Sequence, residues 1–98
     1  MAQFDAVRLR GGDLVVVLQS DLVDYLPTRL VAPLLLGEQV PSIIPRVNPK
    51  ITIGGVEFIV ATHLAATVPT RQLGRVEATL SEHDYAIKVA IDLLIIGF

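Results

Sequence analysis

The sequence predicts a mainly β domain, compact and antiparallel, that ends in one α-helix. Three observations carry this. Apolar and β-branched runs flank two glycine pairs, Gly11-Gly12 and Gly54-Gly55, and glycine supplies the positive φ that tight hairpin turns need. The stretch "GRVEATLS" alternates Val76, Ala78 and Leu80 with Arg75, Glu77 and Thr79, the period of a strand. Beyond it the period lengthens: "HDYAIKVAIDLLII" places Asp84, Lys88 and Asp92 at i, i+4 and i+8, a single polar stripe on an otherwise apolar helix.

Taken in order, "QFDAVRLR" and "LVVVLQS" form two strands joined at Gly11-Gly12. The unbroken apolar run Leu14 to Leu18 predicts a central strand covered on both faces. "DYLPT" contains Pro27 and reads as a loop. "RLVAPLLL" is a third strand, in which Pro33 demands an edge position or a bulge because proline has no N–H to give a ladder. "GEQVPSIIPRVNP", with Pro41, Pro45 and Pro49, predicts an extended excursion with little regular pairing, a short strand or two at most. "KITI" and "VEFIVAT" form the clearest hairpin, "ATVPTRQL" with Pro69 reads as a loop, and "GRVEATLS" is the last strand. Ser81 is the expected helix N-cap, with Asp84 three residues on as a variant capping box. Glu82 and Asp84 suit the positive end of the helix dipole.

The chain of 98 residues contains no internal repeat or linker, so residues 1–98 are read as one domain. Apolar residues make up 52% and charged residues 18%. A domain this small cannot bury so much apolar surface alone, which predicts an uncovered patch and a homodimer. The helix sharpens the point. Ile87, Ala90, Ile91 and Leu94 can cover the sheet, which leaves Val89, Leu93 and Ile96 as the expected dimer interface. The chain closes on "AIDLLIIGF", an unusually oily terminus.

The net charge of −2 and the scatter of Lys and Arg, with only Arg8 and Arg10 close together, disfavour direct nucleic-acid binding. There is no cysteine, and so neither a disulfide nor a thiolate metal site. "MAQFDAVRLR" lacks the apolar core of a signal peptide, and no apolar run approaches the roughly 18–20 residues of a membrane span. The expected location is cytoplasmic, without membrane contact.

Catalytic signals are absent. His63 and His83 have no nearby carboxylate pattern and read as structural or exposed. Of Ser20, Ser42 and Ser81, only Ser81 is close to a histidine in sequence, and capping explains it better. The glycine pairs fit no phosphate loop. Phe4, Tyr25, Phe58, Tyr85 and Phe98 are too dispersed for a base-stacking platform. No catalytic residue, metal or cofactor is expected.

The segments "LQSDLVD", "RLVAPLL", "NPKITIGG", "AATVP" and the closing "LSEHDYAIKVAIDLLIIGF", in this order from Phe4 to Phe98, resemble the CcdB family, the toxins of toxin–antitoxin modules. The resemblance implies an SH3-like antiparallel β-barrel or sheet of the CcdB/MazF type, with a small extra sheet and the terminal helix, in a twofold homodimer. It implies a toxin that catalyses nothing. The dimer binds the gyrase A subunit and traps DNA gyrase on cleaved DNA, as a topoisomerase poison. A labile antitoxin removes the toxin and joins it in repressing transcription of their own operon, so DNA is met only through that complex.

Carried over residue by residue, the gyrase contact falls on Leu22 and Val23 after "QSD", on Asp92, and on Ile96, Gly97 and Phe98. The best-known member of the family ends in Trp-Gly-Ile, and its paired Trp side chains sandwich an arginine of the target. Here Ile96-Gly97-Phe98 closes the chain, and Ile96 lacks the π face whose stacking on a guanidinium contributes about 0.5–2 kcal/mol per ring. Asp92 stands where that member has Asn, and its carboxylate can pair with an arginine. Two other readings stay open. One is a relic that dimerises and binds antitoxin without poisoning gyrase. The other is an endoribonuclease of the MazF or Kid kind, which needs a phosphate-favouring groove and an acid–base pair and is disfavoured by the acidic balance.

Overall fold

A computed structural model describes residues 1–97. Phe98, named above as a target contact, lies outside the described residues. The elements are β1 (Asp5–Leu9), β2 (Leu14–Val17), β3 (Thr28–Leu35), β4 (Lys50–Ile53), β5 (Val56–Val60), β6 (Ala66–Pro69), β7 (Leu73–Thr79) and α1 (Asp84–Ile95), with short 3-10 turns between several of them. The sheet order is β4-β5-β3-β2-β1-β7, and β6 also pairs with β3. Every described pairing is antiparallel.

Both glycine hairpins form as expected, β1 with β2 and β4 with β5. The run from Leu14 to Leu18 is buried throughout, and the two-residue alternation divides it between two apolar clusters. Leu14, Val16 and Leu18 join Phe4, Ala6, Ala32, Leu34, Val60, Leu80 and Ile87 on the helix side. Val15 and Val17 join Val7 and Val31, closed over by Leu9, Val68 and Leu73, on the opposite face. Strands β6 and β7 sit at opposite ends of the β6-β3-β2-β1-β7 run, yet one short turn, Thr70–Gln72, joins them. The run therefore curls on itself as a half-barrel around the second cluster.

Three local expectations are corrected. "ATVPTRQL" is not all loop: Ala66–Pro69 is a strand whose partners are Thr28 to Val31. Its Pro69 stands at the strand end, where a missing donor costs least. Pro33 lies in a central strand rather than at an edge or bulge. Its carbonyl accepts from the Ala61 N–H at 2.8 Å, so its nitrogen faces the same side. On that side β3 changes partner, from β6 at Thr28–Val31 to β5 at Leu34–Leu35, and the absent N–H falls in the gap. Ser81 is not the cap of α1. A 3-10 turn over Ser81–His83 leads into the helix, and the N-cap, His83, makes no side-chain cap bond.

Along β7 the alternation lapses: Val76 is exposed, because the register with β1 shifts on either side of Val7. The excursion after β3 contains no strand, as expected, and one buried side chain pins it. Asn48, 2% exposed, accepts from the Ile44 N–H at 3.2 Å and donates to the Val60 carbonyl at 3.2 Å. Its amide nitrogen also lies 3.0 Å from Nδ1 of His63.

Candidate functional site

Large apolar side chains are exposed at several places, Ile44, Leu64 and Tyr85 among them, and two of these places coincide with the predicted target contacts. One is the turn after β2. "QSD" builds it, each residue by a different bond. The Gln19 amide donates to the carbonyls of Val23 at 3.0 Å and Thr28 at 3.2 Å, and its oxygen accepts from the Leu30 N–H at 2.9 Å. Ser20 Oγ accepts from the Leu22 N–H at 3.1 Å and caps the 3-10 turn Asp21–Val23. Asp21 accepts from the Gln3 N–H at 2.8 Å. From the far side, Arg29 donates to the carbonyls of Leu26 at 2.6 Å, Thr28 at 3.0 Å and Asp24. On this frame Leu22 is 88% exposed and Tyr25 78% exposed; Val23 is half-buried.

The second place is the end of α1. Ile87 and Ala90 are fully buried against the sheet and Ile91 is half-buried. Leu94, expected to complete this face, is instead 44% exposed and borders a hollow with Ile44, Val47 and His63. Val89 and Leu93, the expected dimer residues, are half-buried, while their companion Ile96 is 61% exposed. Ile95, which the sequence reading passed over, is 71% exposed. Asp92 projects into solvent, and its carbonyl accepts from the N–H groups of Ile96 at 2.8 Å and Gly97 at 3.0 Å. Gly97 reaches this position with φ 98°, a left-handed value that glycine adopts freely at a helix C-terminus.

Of the predicted target contacts, Leu22, Asp92, Ile96 and Gly97 are thus exposed and Val23 is half-buried. No hydrogen bond or ion pair among the described residues ties the turn to the helix end. The sequence reading missed Tyr25 as part of the turn's outer surface. Its three-residue spacing from Leu22 was the available signal, since residues so spaced share a side of a 3-10 turn.

The remaining polar chemistry is local. A groove of about 620 Å³ is lined mainly by apolar residues, among them Val15, Val31, Pro33, Phe58 and Val68, with Arg8 on its wall. The Arg8 guanidinium holds Glu77 through two bonds, Nε to Oε2 at 2.8 Å and Nη2 to Oε1 at 2.9 Å. That hydrogen bonding lowers the Glu77 pKa below the ordinary carboxylate value, partial desolvation opposes it, and the charges of Arg8 and Arg75 assist it. The same bond raises Arg8. His63 meets Asn48, and His83 lies 3.7 Å from Glu82 at the start of the helix. Among the described residues no group of three or more His, Cys, Asp or Glu is placed to hold a metal, and no helix is long and apolar enough to cross a membrane.

Comparison with known proteins adds two findings. The sequence model of the family described as "CcdB protein" matches residues 3–97. The fold is similar to the crystal structure of an Mtb toxin, with TM-score 0.74, 19% identity, and coverage of 95% of this chain and 99% of that one. It is also similar to the Mycobacterium tuberculosis toxin MazF-mt6, with TM-score 0.69, 20% identity, and coverage of 90% of each chain. These likenesses identify the antiparallel half-barrel with its terminal helix as the architecture of MazF- and CcdB-type toxins. A search of curated proteins gives no significant match.

Proposed function

The chain belongs to the CcdB family of toxin–antitoxin toxins, and on that footing we propose that its target is DNA gyrase. The toxin acts as a homodimer in the cytoplasm, binds the gyrase A subunit, and holds the enzyme on cleaved DNA without catalysing a reaction itself. Its cognate antitoxin reverses this and, with the toxin, represses transcription of their operon. Leu22, Val23, Asp92, Ile96, Gly97 and Phe98 form the gyrase contact, and Val89, Leu93 and Ile96 the dimer interface.

The observation that supports this reading best is the exposed end of α1. Burying a large aliphatic side chain contributes about 1.5–3 kcal/mol. Leaving Ile95 and Ile96 largely in water and Leu94 partly so forgoes a few kcal/mol by that measure, against the roughly 5–15 kcal/mol stability typical of a domain. A surface so costly to the free protomer is explained by another polypeptide that covers it. Among the described residues the groove carries Arg8 and Asp13 in a mainly apolar lining, and His83 has the exposed Glu82 at 3.7 Å, which lends an acid–base alternative little support.

The test is a cleavage assay with purified protein, gyrase from the same organism and supercoiled plasmid. Linear DNA accumulates with the intact toxin. A chain lacking Ile96 to Phe98 loses the effect while remaining folded. RNA cleavage with gyrase untouched replaces this reading by an endoribonuclease of the MazF or Kid kind. Normal growth at high expression, with neither activity, replaces it by an antitoxin-binding relic.

A further inference from the structure

We propose that Tyr25 is a second target-contacting side chain of the turn, and that with Asp24 it receives an arginine of the gyrase A subunit. The inference rests on the proposed gyrase reading and names two residues that the family carry-over did not include.

The turn continues past Val23 in the same style. The N–H groups of Val23, Asp24 and Leu26 bond to the carbonyls of Ser20 at 3.1 Å, Asp21 at 3.3 Å and Val23 at 3.2 Å. Each of these bonds spans three residues, and side chains three apart on such a backbone lie on one side. Two pairs result. By this spacing Leu22 and Tyr25 fall on one side of the turn, and Asp21 and Asp24 on the adjoining side. All four residues are exposed.

No hydrogen bond among the described residues accounts for Tyr25. It is 78% exposed, and its hydroxyl takes part in none of the hydrogen bonds among the described residues. The carboxylate of Asp24 likewise makes no ion pair there. Arg29, the nearest cation in the turn, directs both terminal nitrogens to backbone carbonyls. A carboxylate without an ion pair, next in the chain to an exposed aromatic residue, suits a guanidinium, which stacks by its plane and donates by its edge. An ammonium fits less well, since it lacks the plane.

Rigidity adds to the case. Gln19, Ser20 and Arg29 fix the backbone before binding, so little ordering cost remains for the complex to meet. Tyrosine itself loses few rotamers for the area it covers, and aromatic residues on fixed frames dominate binding energies. Ile96 has no aromatic face to offer at the chain end, and Tyr25 places one on the other half of the proposed contact.

The experiment measures equilibrium and kinetic binding of the full-length toxin to the purified gyrase A subunit, with thermal melts of every variant as a folding control. Tyr25→Ala weakens binding about tenfold, the order expected for losing one stacked ring. Tyr25→Phe keeps most of the affinity because the face remains, and Tyr25→Leu does not. Asp24→Asn slows association a few-fold and flattens its salt dependence. If the unaltered toxin binds and Tyr25→Ala binds as tightly, the inference fails and the gyrase reading stands. Loss with Tyr25→Phe equal to that with Tyr25→Ala also overturns the stacking role. If the unaltered toxin does not bind the gyrase A subunit at all, both fall together.

Discussion

The turn after β2 and the end of α1 both hold large apolar side chains in water, yet they are secured in different ways. The turn is laced by side chains: Gln19, Ser20 and Arg29 each bond to its backbone, and Asp21 ties it to Gln3. Among the described residues no side-chain hydrogen bond holds the helix end; it rests on its own backbone, through the Asp92 carbonyl, on the partial burial of Ile91 and Leu93, and on Ile87 and Ala90, buried one to two turns earlier. The difference teaches where binding and stability separate. At the turn the exposed residues are dispensable to the fold, whereas the polar residues beneath them are not. On the helix the division runs along the axis, with structure at the foot and surface at the tip.

The sharpest test of that division compares Ile87 with Ile95. Ile87 is fully buried on the helix side of the sheet, and Ile87→Ala is expected to lower stability by about 2–5 kcal/mol. Ile95→Ala, on the same helix, should change it by no more than about 0.5 kcal/mol. Urea unfolding of the two variants decides the matter, and equal losses would erase the distinction between foot and tip.

Next in size is Gln19→Ala. It leaves the Leu30 N–H without its partner and removes one of two donors from the carbonyls of Val23 and Thr28, which keep the Leu26 N–H and Arg29, an expected loss of about 1–3 kcal/mol for partly buried groups. Amide exchange should quicken over residues 20–28 and stay unchanged in α1. Quickening in both would mean that the turn and helix are one cooperative unit. Ser20→Ala removes a single cap bond, at a cost of about 0.5–1 kcal/mol by denaturant midpoint.

The smallest effect lies outside both regions. Glu77 is held below its ordinary pKa by Arg8, so it binds a proton less readily folded than unfolded. Its contribution is present above the unfolded carboxylate pKa and is lost as pH falls through the depressed, folded value. Glu77→Gln should flatten the acid side of the stability–pH curve slightly, since the pair is partly exposed and solvent-screened. An unchanged curve would show that the two bonds to Arg8 add no net stability.

Much of the architecture was legible because it is local. Glycine pairs between β-branched runs specify hairpins within a few residues, and the stripe of Asp84, Lys88 and Asp92 specifies a helix. Asp84 and Lys88 do lie 3.6 Å apart on it. What misled was long-range. Ala66–Pro69 looked like a loop on its own proline, but its strand character comes from Thr28 to Val31, far earlier in the chain. Pro33 looked like an edge residue, and only the change of partner along β3 makes room for it in the middle of a sheet. Ser81 had the right chemistry for a cap, but the chain enters α1 through a 3-10 turn and leaves it uncalled on.

The site divides in the same manner. Surplus apolar residues at the chain end were visible from composition and spacing alone, since a short sheet cannot cover a helix apolar over most of its circumference. Which of them stay outside was not visible. Leu94 was expected beneath and lies half outside, Val89 and Leu93 were expected outside and are half covered, and Ile95 proved the most exposed of the helix tip. Tyr25 sat in a stretch that the sequence marked only as a loop. Local patterns fix which elements form, because turn preferences and side-chain periods act over a few residues. Exposure depends on where the sheet ends and on which carbonyls Gln19 and Arg29 reach, and those are settled only when distant segments meet.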